Sequence, residues 1–252
     1  MDENLLKAAT ENFNLPHDVV PLPSGGIFYK SKKKSIKVGY LTANDENTLI
    51  SAAQNPNQNV VMSLLRNKVY EHDLRPEELL ETDVEAVLIF LRNTSFGPEY
   101  EIQLIDPKTQ TPFTTNVMLD EMNITKTEFQ PDENGLFMTK LPRSGVMVKL
   151  KPLTYNDIIE LEKMKDQYPP GLVAPVITWR LNKMIVEIDG VMDKEKIVTT
   201  VRNLPIMDSK YIKTFLKNNI PSLDLKKRTI APSGEEVIFD ITFGVEFFRP
   251  FF

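Results

Sequence analysis

Leu41-Thr42-Ala43-Asn44-Asp45 is answered, 112 residues later, by Leu153-Thr154-Tyr155-Asn156-Asp157. In each stretch a threonine stands three residues before an aspartate. That is capping-box spacing: the hydroxyl accepts from an orphan backbone N–H of the first helical turn, and the carboxylate reaches back to the threonine. The spacing predicts helices over about 43–53 and 155–166. The correspondence extends in both directions. Upstream, Leu22-Pro23-Ser24-Gly25-Gly26 matches Leu141-Pro142-Arg143-Ser144-Gly145. Downstream, Asn67-Lys68 matches Asn182-Lys183, Phe90-Leu91-Arg92-Asn93 matches Phe215-Leu216-Lys217-Asn218, and Ile105-Asp106-Pro107 matches Ile230-Ala231-Pro232. The five pairs keep one order, at offsets of 119, 112, 115, 125 and 125. Chance matches between cap and turn motifs would scatter; an ordered series reads as a duplication. The offset falls by seven across Lys30–Lys34, so the second repeat lacks that loop, and rises by ten around Gly190–Pro205.

Each repeat reads as a turn, strands, helices and a closing hairpin. The Leu-Pro…Ser-Gly segment is the turn. Ile27-Phe28-Tyr29 and Ile36 to Tyr40 read as two strands of a hairpin, with Val146 to Leu150 as the equivalent strand in the second repeat. A second helix is expected over about 59–72 and from Val173 to Met184, the latter interrupted by Pro175. A third begins near Asp83 and near Asp208. Its apolar positions Ala86, Val87, Phe90 and Leu91 recur as Tyr211, Ile212, Phe215 and Leu216, one helical face in each case. The hairpins turn at Asp106-Pro107-Lys108-Thr109 and Ala231-Pro232-Ser233-Gly234, with proline where a type I or II turn favours it. The expected class is therefore α+β, as two tandem diverged units. An N-terminal arm spans 1–17, the first unit 18–132 and the second 133–252, the boundary falling in Pro131-Asp132-Glu133-Asn134-Gly135.

Composition excludes several chemistries. The chain has no cysteine, which removes disulfides, thiolate catalysis and Cys-ligated zinc, and fits a reducing compartment. A net charge of -5 argues against wrapping nucleic acid. Met1-Asp2-Glu3-Asn4 has no basic and apolar signal-peptide pattern, and no apolar run reaches the ~18 residues of a membrane span. His17 and His72 have no metal-ligand partner at helical spacing. There is no nucleophile elbow, no Walker loop and no dinucleotide fingerprint. Pro23-Ser24-Gly25-Gly26 lacks the lysine that gives a phosphate loop its chemistry. We therefore expect no enzyme, no cofactor, no metal and no small-molecule substrate.

Two unshared segments are candidate partner-binding sites. Phe247-Phe248-Arg249-Pro250-Phe251-Phe252 puts four phenylalanines in six residues, which is costly to leave in water. They either fold onto the second unit's own core or anchor a partner, since aromatic residues and arginine carry much interface energy. Lys32, Lys33 and Lys34, with Lys30, form a basic loop that is either a solvated tip or a contact surface. Met1 to Asn14 is polar with Leu5, Leu6, Ala8 and Ala9, an arm suited to ordering on a partner.

Leu22 to Tyr29, Val38 to Glu46, Leu91 to Tyr100 and Phe247-Phe248-Arg249-Pro250 together resemble the baseplate hub subunit and hub assembly chaperone family of T-even-type contractile-tailed bacteriophages. The resemblance spans most of the chain and rests on short turn and cap motifs. It implies a non-enzymatic protein that binds other baseplate or hub proteins, in the virion tail baseplate or in the infected host's cytoplasm during assembly. The alternatives are another virion scaffold, wedge or tube-adjacent, and a phage nucleic-acid-binding or host-takeover protein. The resemblance also implies hairpins like those of a zinc ribbon, in which relatives carry Cys-Pro-x-Cys. Here the four positions hold Asp106, Thr109, Ala231 and Gly234, so the ribbons are cysteine-less and packing must hold them.

Overall fold

The computed structural model describes residues 16–54, 60–243 and 245–248. The arm before Pro16, and Arg249, Pro250, Phe251 and Phe252, lie outside the described residues. The first half runs β1 (His17–Pro21), β2 (Ser35–Gly39), α1 (Ala43–Gln54), α2 (Val60–Lys68) and α3 (Glu81–Phe96), then the hairpin β3 (Glu99–Ile105) and β4 (Pro112–Met118). The second half runs β5 (Phe137–Lys140), β6 (Met147–Leu150), α4 (Tyr155–Asp166), α5 (Val176–Met184), β7 (Ile185–Ile188), α6 (Lys194–Arg202) and α7 (Ile206–Asn219). It closes with β8 (Lys226–Ile230), β9 (Glu236–Asp240) and a 3-10 turn over Val245–Phe248. The class is mixed α+β, with seven α-helices among the described residues and small sheets that are antiparallel throughout.

The capping boxes start α1 and α4 where the threonines predict. Asp45 Oδ2 accepts from Thr42 N at 2.7 Å, and Asp157 N donates to Thr154 Oγ1 at 3.1 Å. α5 begins just after Pro175, because proline suits a helix entrance and is excluded from its interior. Other elements differ from expectation. Ile27-Phe28-Tyr29 is not a strand: Gly25 and Gly26 take φ of 62° and 73° and wind the chain through successive turns. A Cβ on Gly26 would lie 2.1 Å from the Lys33 carbonyl oxygen, so only glycine permits that approach. The partner of β2 is instead β1, in a register that sets His17 opposite Gly39. Sequence periodicity also missed β5, β7 and α6. α6 occupies the stretch where the repeat offset widens, and Asp193 caps it by accepting from Lys196 N at 2.9 Å.

Two cores result. The second is local, with Phe137, Leu150, Leu181, Ile197, Ile212 and Phe215 packed between the three-stranded sheet and α5 to α7. The first takes Val38, Leu64, Leu65, Val87 and Leu91 from β2, α2 and α3, but also Ile241, Phe247 and Phe248 from the far end of the chain. Each such side chain contributes about 1.5–3 kcal/mol on burial. The seam between the halves is hydrogen-bonded. Tyr155 N donates to Leu79 O at 2.7 Å, Leu80 forms a β-bridge with Thr154, and Leu223 N donates to Thr82 Oγ1 at 3.2 Å. Gly135 adds a close approach, since a Cβ there would sit 2.9 Å from the Cα of Phe28. The two closing hairpins also meet, with the Thr115 and Thr229 hydroxyls 3.0 Å apart.

Candidate partner-binding surfaces

Buried carboxylates fix the framework on which the surfaces stand. Asp45 is capped by Thr42 and ion-paired to Lys68; Asp157 is capped by Thr154 and paired to Lys183 at 2.9 Å. Burial alone would raise both carboxyls, but the ammonium and the cap hydrogen bonds outweigh it and hold them below the ordinary carboxylate range. At the start of α3, Asp83 accepts from Ser24 N at 2.9 Å, from the Ser24 hydroxyl at 2.6 Å and from the Tyr29 hydroxyl. At the start of α7, Asp208 accepts from Arg143 N at 2.7 Å and Ser144 N at 2.9 Å. Sequence reading noted these aspartates as helix starts and Lys68 and Lys183 as matches. Their partners are distant in sequence, so no local signal marked the pairing.

The described part of the aromatic tail lies inside the first core. Phe247 and Phe248 are each 1% exposed, and neither packs on the second half's core. The socket is organised by Arg92 on α3, whose Nε donates to the Phe247 carbonyl at 3.1 Å and whose Nη1 donates to the Gly97 carbonyl at 2.9 Å. Its guanidinium carbon stands 4.8 Å from the Tyr100 ring centre and 5.8 Å from that of Phe247, an aromatic cage that compensates a cation removed from water.

The lysine loop is partly committed to the fold. Lys32 Nζ donates to Ile27 O at 2.8 Å and, across the seam, to Glu133 O at 2.6 Å. Lys33 pairs with Glu71 and, at 2.8 Å, with Asp73. Lys34 is exposed and makes no ion pair among the described residues. Among the described residues no hydrogen bond or ion pair joins these lysines to the aromatic turn.

The hairpin turns meet at Asp106. Its carboxylate accepts from Lys108 N and Thr109 N in its own turn, and from Ser233 N at 3.0 Å and Ser233 Oγ at 2.8 Å in the other. Burial works against the charge, yet these donors prevail and bring the carboxyl down to about 2. The turns offer no thiolate, and their one carboxylate is already saturated with donors, so a ribbon-type zinc does not fit them. Among the described residues no group of three His, Asp or Glu side chains could hold a metal ion. No helix there is long and apolar enough to cross a membrane.

Two further surfaces stand out. A cleft of about 500 Å³ opens along the seam, lined by Glu81 and Glu85 from the first half and by Arg180, Lys213 and Lys217 from the second. Burial, then Glu81 and Asp83, push the Glu85 carboxyl up to about 8. The second half also exposes large apolar side chains, among them Val173, Ile206 and Met207.

A family model described as "T4 bacteriophage base plate protein" matches residues 27–249. No curated protein and no solved structure matches the chain.

Proposed function

The chain belongs to the T4 bacteriophage base plate protein family, and from that premise we propose that it serves in the central hub of the tail baseplate or in the assembly of that hub. Membership makes it a structural protein of the phage tail that interacts with other baseplate proteins. The hub reading goes further, and so does the reading that it works by binding rather than catalysis. What supports the hub reading is the resemblance of Leu22 to Tyr29, Val38 to Glu46 and Leu91 to Tyr100 to that family, and what supports binding over catalysis is the family match over residues 27–249.

The same proposal includes the duplicated architecture, with units over 18–132 and 133–252 and hairpins akin to cysteine-less zinc ribbons. Three recurrences support it: Thr-Asp-Lys at 42, 45, 68 and 154, 157, 183; an aspartate at 83 and 208 that takes backbone donors from a Leu-Pro turn; and a Pro turn closing each hairpin. For partner contact we assign Lys34, which is exposed, and Arg249 to Phe252, whereas Lys32, Lys33, Phe247 and Phe248 are committed to the fold and act in support.

Mass spectrometry of purified particles and of tail-assembly intermediates tests the role. Presence in virions supports a hub component, and presence in intermediates alone supports an assembly factor. Absence from both overturns the proposal. For the contact residues, a chain ending at Phe248 keeps the socket filled. It should retain its melting temperature while losing capture of baseplate proteins; unchanged capture would remove Arg249 to Phe252 from the interface.

A further inference from the structure

The start of α3 is covered by the second half of the chain: Tyr155 N reaches Leu79 O, Thr154 bridges Leu80, and Leu223 N reaches Thr82. The start of α7 is built in the same way, with Asp208 standing where α3 has Asp83, each holding a Leu-Pro turn. Yet there Ile206 is 75% exposed and Met207 60%, two large apolar side chains where α3 carries Glu81 and Thr82. The covering element has a bare counterpart too. Thr154 and Tyr155 correspond to Thr42 and Ala43, and both of these are exposed at the start of α1. Each half of the internal seam thus recurs, unpaired, on the other half of the molecule.

We propose that these two faces bind each other between molecules: the α7 start of one chain, with Ile206 and Met207, receives the α1 start of a second copy, with Thr42 and Ala43. Side-chain volume favours the match. Inside the chain a bulky Tyr155 reaches Leu79 and stands beside Glu81; between chains the bulk changes sides, and Ile206 and Met207 meet the small Ala43. The two faces are unlike, so the contact is heterologous and repeats, closing into a ring or running on as a rod according to the rotation at each step. The internal seam has the advantage of a covalent tether, equivalent to roughly millimolar concentration. The intermolecular contact lacks it, and strengthens where an assembling baseplate gathers several copies. The inference rests on matching the two halves as repeats, and not on the protein's place in the particle.

Sedimentation velocity on the full-length chain, from about 1 μM to about 1 mM, spans the range of weak complexes. The wild type should grow with concentration to species larger than a dimer. The double variant Ile206→Lys/Met207→Lys blocks one face and Ala43→Arg the other. Both alter exposed side chains, so melting temperatures should stay near the wild type. Each variant alone should remain monomeric, while an equimolar mixture should form a 1:1 dimer and nothing larger, because each partner brings one intact face. A wild type that stays monomeric throughout overturns the interface. Association of Ala43→Arg at wild-type strength, with the α7 variant monomeric, overturns the matching of the halves, because the α7 face is then bound by something other than the α1 start.

Discussion

Asp45 and Asp157 share a cap threonine and a lysine partner in unequal surroundings, and Asp157 adds Lys151 at 3.7 Å. The side chains of Asp45 and Lys68 are 4% and 6% exposed, whereas those of Asp157 and Lys183 are 11% and 32% exposed. Asp45→Asn strands an ammonium away from water and should cost about 3–5 kcal/mol. Asp157→Asn leaves a lysine that can swing into solvent and should cost about 1 kcal/mol. Urea unfolding measures both, and equal losses would contradict the burial argument. Both carboxyls are held below their ordinary value, so they stabilise the fold above about pH 4 and that support fades on acidification. Glu85 has the opposite sign. Its carboxyl rises from 4.5 to about 8, so the folded chain keeps a proton that the unfolded chain releases. Stability is then lost as pH climbs through that interval, and levels off above it. Glu85→Gln should gain about 1–2 kcal/mol near pH 9, after discounting for partial exposure, and close to nothing near pH 4. A pH-independent gain would point to packing instead.

The hairpin pair depends on Asp106 as a joint. Asp106→Ala and Ser233→Ala should each lower the melting temperature, and the double variant should fall little further than Asp106→Ala alone, because both remove the same link. Fully additive losses would mean that the turns do not depend on each other. How far such elements could be read from sequence depends on how local their signal is. The Thr-x-x-Asp boxes set the starts of α1 and α4, the Phe-Leu faces marked α3 and α7, and the Pro turns marked both hairpins. β1 escaped because only Val20 of its five residues is buried, leaving no alternation to detect. β5 and β7 have four residues each, too few for a period. Ile27-Phe28-Tyr29 looked like a strand because its apolar side chains turn inward, yet Tyr29 does so to reach Asp83 and Leu80 from within a turn. The Arg92 socket had no local signature, because its occupant lies at the other end of the described chain.

Taken as one body, the molecule does not divide at its middle. The first core needs Ile241, Phe247 and Phe248, and the second hairpin leans on it through Phe239. A fragment of residues 16–131 should therefore stay unfolded alone, while mixing it with 132–252 should restore helical circular dichroism and a cooperative transition. Independent folding of 16–131 with the stability of the full chain would refute this. Removing the two rings within the full chain, as Phe247→Ala/Phe248→Ala, should cost about 3–5 kcal/mol per ring and expose apolar surface to a hydrophobic dye.

Phe247 meets Arg92 across 155 residues of chain, and this sets a clock on the protein's birth. At roughly 5–20 residues per second, about 8–30 s pass between the emergence of α3 from the ribosome and the arrival of the turn that seals it. Throughout that interval the first core lacks three of its side chains. A polypeptide abandoned anywhere before Ile241 never acquires them, and stays soft and open to proteases. Only a chain translated as far as Phe248 locks, so translation itself proofreads the stock of subunits before any of them reaches a growing tail.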